Sequence, residues 1–480
     1  MASYGVVTPP PERPLTQAER DLLQSDRPGY GSCSVVEVSF NLVNATVGAG
    51  IIGLPFAVYH AGFFIGIAVS VIVAILSQLG LYMLIRAGQR TNIYKFAMLV
   101  EYLMGRPGYH FLNFIVFFQA AGACVSYFIL VGDTIPVLLT LYFPQYSIFA
   151  NRSLVIAVIS YVFILPLNLS RSIGALARWS ILSVLCLPVI LLTMLIRAPV
   201  YAPEHRAPLT WVGSDIFGAL GIMAFAFACS QVAFDNFRSQ KDQSSSGWAK
   251  STTLATIMSW FVSMAFAVLG YLSFGVDVQP NLFLNFPNDD PIVNIGRFAL
   301  GFSMLLTIPM GFYPTREAVQ KSLGFETADR QPTKMQHYIV TFVLFTVITA
   351  AGIAIRSIGQ VYAIVGGFAA TTLAYILPAA SYLVTRRAVP LEDEAAKKPL
   401  LAHDPPTDAA SSSSSTSSSS PLPSPSAKDN VAWSDESGTG RAGALMTTRW
   451  SWLDMAAVLL IIWGFMVMIF SVSGALRSSK

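Results

Sequence analysis

Between Ser39 and Pro55 the chain reads Ser-Phe-Asn-Leu-Val-Asn-Ala-Thr-Val-Gly-Ala-Gly-Ile-Ile-Gly-Leu-Pro, residue types suited to holding a ligand rather than to breaking bonds. Gly48, Gly50 and Gly53 each weaken a helix by up to about 1 kcal/mol relative to alanine. Pro55 lacks a backbone NH and clashes with the carbonyl four residues earlier. A helix through this stretch is expected to unwind. Asn41, Asn44 and Thr46 add side-chain oxygens beside the break. Unwound backbone at membrane depth is tolerated only inside protein or along a cavity, and the free NH groups of a half-helix favour a carboxylate. Glycines also let helices pack closely. Three glycines, a proline and three polar residues in one helix favour a site over packing alone.

The elements that must carry this stretch are membrane helices. Of 480 residues, 54% are hydrophobic and 12% charged, against roughly 25% charged in an ordinary soluble domain. Eleven apolar runs are long enough to cross a hydrocarbon core about 30 Å thick. They cover 35 to 60, 63 to 85, 111 to 133, 153 to 170, 174 to 196, 216 to 236, 252 to 274, 293 to 311, 337 to 355, 359 to 384 and 453 to 473. The runs stay apolar for about twenty residues, where barrel strands alternate over about ten, so the expected fold class is all-α and integral to the membrane. With a cytoplasmic N-terminus, 23 of the 30 Lys and Arg residues fall on the cytoplasmic side, as the retention of basic residues there requires. The +4 net charge is explained by these loops and implies no nucleic-acid partner.

If the fold is built from inverted repeats, span six should break as span one does. Its middle, Phe225-Ala-Phe-Ala-Cys-Ser230, places small residues in a bulky apolar pattern but contains no proline. The breaks lie about 180 residues apart, and Pro188 and Pro378 lie 190 apart, compatible with two five-helix halves. Glu37, Asp133, Asp215 and Asp235 all fall near expected span ends, so no deep carboxylate is expected to relay protons. A cation would then be held by neutral oxygens: backbone carbonyls at the break, Asn44, and the hydroxyl of Thr307 in Thr307-Ile-Pro309. The Thr307 hydroxyl could equally bond back to its own helix.

Four domains follow. Residues 1–34 read as a disordered cytoplasmic tail without the apolar stretch of a secretory signal. Residues 35–386 form a core of ten helices. Residues 387–449, with the serine run from Ser411 to Ser420, cannot bury a core and read as a cytoplasmic linker or a phosphorylated regulatory segment. Residues 450–480 carry the eleventh helix and a short tail. Cys124, Cys186 and Cys229 lie inside spans and Cys33 on the cytoplasmic side, so structural disulfides are not expected.

The stretch from Phe40 to Ala57, followed by His60-Ala-Gly62, resembles the first-helix signature of the amino acid/auxin permease family, and within it the sodium-coupled neutral amino acid transporters and the fungal vacuolar amino acid transporters. Phe225 to Cys229, Gly270-Tyr-Leu-Ser-Phe-Gly275, Asn285-Phe-Pro287 and Leu306-Thr-Ile-Pro309 with Arg316-Glu317 occur in the family's order. The resemblance covers residues 35 to 385 and span eleven. It implies a LeuT-type core of five plus five inverted helices with an eleventh appended, and transport of amino acids coupled to sodium or protons. Gly48, Ala49, Gly50 and Ile51 would hold the substrate's carboxylate and amino group, facing Phe225, Ala228, Cys229 and Ser230. Asn44 and Thr307 match the positions that bind the cation in the sodium-coupled branch. Ser230-Gln231 departs from the His or Pro-Glu that many relatives carry, so side-chain preference does not transfer.

A membrane enzyme would need deep clusters of His, Asp, Glu or Cys. His60, His110 and His337 are the only histidines close to spans, and all stand at span ends, so the chain is not expected to be an enzyme or to need a cofactor other than a coupling sodium ion or proton. The expected partners are an amino acid and the lipid bilayer of a vacuolar or plasma membrane, with the protein a monomer. The alternative is a sensor that binds amino acids with little net transport.

Overall fold

The computed structural model describes residues 28–169, 173–325, 332–388 and 451–478. Every regular element among them is helical, apart from one isolated bridge between Cys33 and Gln240. Helices α1 (Val35–Thr46) and α2 (Leu54–Ala61) are joined by a 3-10 turn, Ala49–Gly53. Then come α3 (Phe63–Thr91), α4 (Phe96–Tyr142), α5 (Arg152–Ile159), α6 (Leu165–Asn168), α7 (Ile173–Tyr201), α8 (Ile216–Phe227), α9 (Ala233–Ser239) and α10 (Ser245–Phe274). The series ends with α11 (Pro291–Ser322), α12 (Lys334–Ala354), α13 (Ile358–Val365), α14 (Leu377–Ala388) and α15 (Trp452–Ser478).

Nine helices among the described residues are long and apolar enough to cross a membrane, and ten when α1 and the bent segment after it count as one broken span. The fourth expected span is a shorter apolar helix, Arg152–Asn168. Ile75, Leu192, Phe261, Phe298, Phe342, Leu459 and Ile469 stand exposed on several helices. Apolar surface of that extent marks a face made for lipid rather than water.

The third expected span, 111 to 133, is longer in the structure. α4 runs from Phe96 to Tyr142 with a kink at Gly105, whose φ of 69° suits glycine, two residues before Pro107 restarts the helix. Asp133 therefore lies nine residues inside α4 rather than at a span end. Prolines leave a second mark. Pro166 and Pro378 each follow a wider-wound π segment, at Ser160–Ile164 and Thr372–Ile376, where the bond the proline cannot make is absorbed by rewinding.

α11 packs against α4 and α7, α1 chiefly against α10, and α2 against α8 and α10. α15 lies on α8, α13 and α14. Arg386 of α14 meets the buried Asp454 of α15 at 3.0 Å, and Ser471 Oγ donates to the Ala363 carbonyl at 3.0 Å. Of the segment read as a tail, residues 28–34 are tied down: Cys33 N donates to Ser239 O at 2.9 Å and Lys241 N to Cys33 O at 2.8 Å. Ser34 and Glu37 close a capping box at the start of α1. The expected linker, 387–449, lies outside the described residues except for its first two positions.

Candidate functional site

The first helix breaks where its glycines lie. Val47 leaves helical geometry at φ −81°, ψ 75°, and Gly48 is extended at φ −115°, ψ −148°. The two halves of the span meet at 57°. Gly48 N donates to Thr46 O at 2.9 Å and Ile51 N to Gly48 O at 3.2 Å, so both are used within the turn. The NH groups of Ala49 and Gly50 begin the turn and have no carbonyl one turn earlier within it. Pro55 sits in the first turn of α2, where a missing NH has no consequence.

The sixth helix breaks too, without glycine or proline at the break. α8 stops at Phe227, Ala228 is extended at φ −84°, ψ 118°, Cys229 takes φ −136°, ψ 20°, and a 3-10 turn, Ser230–Val232, leads into α9. Ala228, Cys229 and Ser230 are buried.

The two breaks touch. A Cβ on Gly50 would stand 2.9 Å from the Cα of Ala226, 3.2 Å from its Cβ and 3.3 Å from the Phe225 ring. A Cβ on Gly48 would meet no heavy atom of the described residues within 4 Å. The first helix thus presents a tightly packed and an open glycine two residues apart. Ile51 is buried, and Phe225 stacks on Tyr362 of α13 with ring centroids 4.7 Å apart. Tyr362 also covers Gly53, whose Cβ would lie 2.9 Å from the ring. Sequence reading missed Tyr362, since one aromatic in an apolar run carries no signal of its own.

Behind the breaks a narrow crevice is lined by Thr46, Ser77, Gln78, Cys229, Thr256 and Ser259, among others. A roomier one lies beside Phe56, His60, Asp215 and Gln360. Asp215 caps α8 through a bond from Gly218 N at 2.8 Å, which accounts for that carboxylate structurally.

The two cation candidates are placed differently. Asn44 is exposed on α1 and finds no hydrogen-bond partner among the described residues. Thr307 Oγ1 donates to Ser303 O at 2.8 Å and lies 2.7 Å from Ser183 Oγ of α7. Ser183 Oγ in turn lies 2.8 Å from Ser303 Oγ. The back-bond that a threonine before a proline can make is therefore present, and Ser183 and Ser303, rather than Asn44, surround it. No group of His, Cys, Asp or Glu that could hold a metal ion occurs among the described residues.

Broken helices meeting inside a membrane bundle define a class, the helical transporters whose sites are made from interrupted spans. The chain belongs to the transmembrane amino acid transporter protein family, whose pattern matches residues 31–397, as the first-helix resemblance implied. It is 32% identical over 378 residues to a Danio rerio protein named, provisionally, sodium-coupled neutral amino acid transporter 11, covering 76% of this chain and 83% of that one. Vacuolar amino acid transporter 2 of Saccharomyces cerevisiae is 30% identical, covering 70% and 74% of the two chains. A manganese transporter of Eremococcus coleocola is similar in structure at a TM-score of 0.47 and 13% identity, covering 97% of this chain and 89% of that one.

Proposed function

We propose that the protein is a secondary active transporter of neutral amino acids that works by alternating access, with its substrate held where the first and sixth spans break. The observation that carries this reading is the meeting of Gly50 with Ala226 beside the open space at Gly48. A carboxylate would be met by the NH groups of Ala49 and Gly50, where the start of a helical turn favours negative charge. Gly48 leaves room for the ligand. Ile51, Phe225, Ala228 and Cys229 form the apolar wall, and the Ser230 hydroxyl is available to the amino group.

In this reading the short helix Arg152–Asn168 is an eleventh span, and the first ten form two inverted halves of five with α15 appended. Matching breaks in spans one and six support that arrangement; the proline pair Pro188 and Pro378 does not, because α7 carries Pro188 without the π segment that precedes Pro378. The basic-residue bias supports a cytoplasmic N-terminus, in a vacuolar or plasma membrane. Sodium is the favoured coupling ion, held by Asn44, carbonyls at the end of α1, and Thr307. The names of both relatives support the amino acid substrate, and that of the Danio rerio protein supports sodium.

The test is uptake of a labelled neutral amino acid mixture into proteoliposomes under a sodium gradient and, separately, a pH gradient of matched size. Accumulation above equilibrium under the sodium gradient alone is expected. Accumulation under the pH gradient alone would move the coupling ion to the proton, and binding without accumulation under either would favour an amino acid sensor.

A further inference from the structure

The narrow crevice behind the breaks lies deep in the bundle. At one end of α3 and α10, Arg86 donates Nη1 to Ser245 Oγ at 2.8 Å. Ser259 stands further along α10, about 21 Å deeper at 1.5 Å per residue and so well inside a hydrocarbon core about 30 Å thick. Four elements wall the crevice: Thr46 comes from α1, Gln78 from α3, Phe227 and Cys229 from the sixth-span break, and Ser259 from α10. Its polar groups are all neutral.

A serine or threonine inside a helix ordinarily donates back to the carbonyl four residues earlier. Thr252 and Ser273 of α10 do so, to Trp248 O at 3.0 Å and Leu269 O at 2.7 Å. Ser259 does not. It is 2% exposed, and its buried Oγ finds no partner among the described residues. The hydroxyl therefore points off its own helix and into the crevice that the residue lines. A buried hydroxyl whose proton meets no acceptor costs stability.

Acceptors stand on the other walls. Thr46 Oγ1 gives its proton to Leu42 O at 2.8 Å, so towards the crevice it can only accept. Gln78 Nε2 donates to Thr253 Oγ1, which leaves the amide oxygen of Gln78 as an acceptor. Between these groups there is room for about one water. A water can take the Ser259 proton and donate to both acceptors, and about three such bonds are usual for a buried water. A cation cannot replace it, since it offers the Ser259 hydroxyl no acceptor.

We propose that the crevice is a binding site for one structural water, which accepts from Ser259 and donates to Thr46 and Gln78, joining α10 and α3 to the broken end of the first span. The sixth span is served by the same water. Phe227 and Cys229 form one wall of the crevice, so the water fills the space behind the interrupted helix and supports its break without glycine or proline. This goes beyond the transport reading, and its test needs no substrate.

The purified full-length protein in lipid nanodiscs serves for each measurement. Ser259→Ala is expected to lower the melting temperature by about 1 to 2 °C, the scale of one hydrogen bond in a chain of this size. A dry crevice predicts the opposite sign, because deleting a partnerless buried hydroxyl relieves a cost. An unchanged or raised midpoint would therefore overturn the water. Thr46→Val removes one acceptor, and the double variant should melt no lower than the weaker of the two single variants, since both act on one water. Full additivity would sink the bridge. The shifts should be equal in sodium and in N-methylglucamine, and a shift confined to sodium would hand the crevice to a cation and refute the proposal. Should Ser259→Ala fail to fold, the parent protein decides. Hydroxyl radicals made from bound water by an X-ray pulse label the side chains beside it. Cys229, 3% exposed, should be labelled several times faster than Cys124, which is 0% exposed and directed at the Ile308 carbonyl. Equal labelling of the two thiols would rule the water out.

Discussion

The breaks in the first and sixth spans do the same thing to a helix by different means. In the first, composition suffices: three glycines within six residues leave the chain little reason to stay helical, and the turn falls on them. In the sixth, Ala228 and Cys229 have no intrinsic aversion to helix that would explain the interruption. Their break lies against the first one, two residues beyond the alanine on which Gly50 rests. What the sixth span contributes is smallness. Ala226 lets backbone approach backbone, and a partner already unwound replaces the helical bonds that are lost. One break is written in local propensity and the other in packing, so they should respond differently to substitution.

The largest effect is expected where the two touch. Gly50→Val puts branched carbons where a single Cβ would already stand 2.9 Å from the Ala226 backbone, and backbone cannot move aside as a flexible side chain can. Uptake should be abolished while the protein still reaches the membrane, and uptake at normal rates would remove the site from this contact. Ala226→Leu tests the same contact from the other side and should be nearly as severe. If it were harmless, the sixth-span break would not depend on the first.

Thr307→Ala and Asn44→Ala come next, read as the apparent affinity for the coupling cation. Each removes one oxygen ligand, for which a loss of about tenfold is the expected scale. The two should differ in a second readout. Thr307 is joined to Ser183 and Ser303, so its loss also unsettles the contact between α7 and α11 and should lower the melting temperature. Asn44, exposed and unpartnered, should leave stability unchanged. Unaltered cation affinity in both would end the cation assignment. Gly48→Ala is milder, because open space receives the methyl group. Folding should be untouched and the apparent substrate affinity weakened a few-fold, the loss falling hardest on the largest substrates.

Much of this was readable beforehand and some was not. The first break, the small residues of the sixth and the family itself all rest on residues that keep their character wherever they are placed. The depth of Asp133 was obscured by its own charge, which seemed to end the third span, although the apolar stretch from Ile135 to Phe143 continues past it. The Tyr362–Phe225 stack and the Asp133–Asn281 bond join residues 137 or more positions apart. Their partners are chosen by tertiary packing, which no local pattern records. The same holds for Thr307: either its own helix or a cation could claim the hydroxyl, and only the structure brings Ser183 beside it.

The smallest expected effect is also the sharpest test of how the first break arises. Pro55 is read together with the glycines as a cause of unwinding, yet it lies in the first turn of α2, where its missing NH has no partner to lose and its fixed φ suits a helix start. If the glycines and the contact with Ala226 make the break, Pro55→Ala should retain it, and transport should fall by less than about threefold. Pro55 is buried beside Gly270 and Leu282, so a modest loss from packing is included in that figure. Full loss of uptake with normal folding would mean that alanine lets α1 and α2 fuse into one helix. The first break would then be maintained by a single residue, and the contrast with the sixth would be stronger than the glycines alone make it.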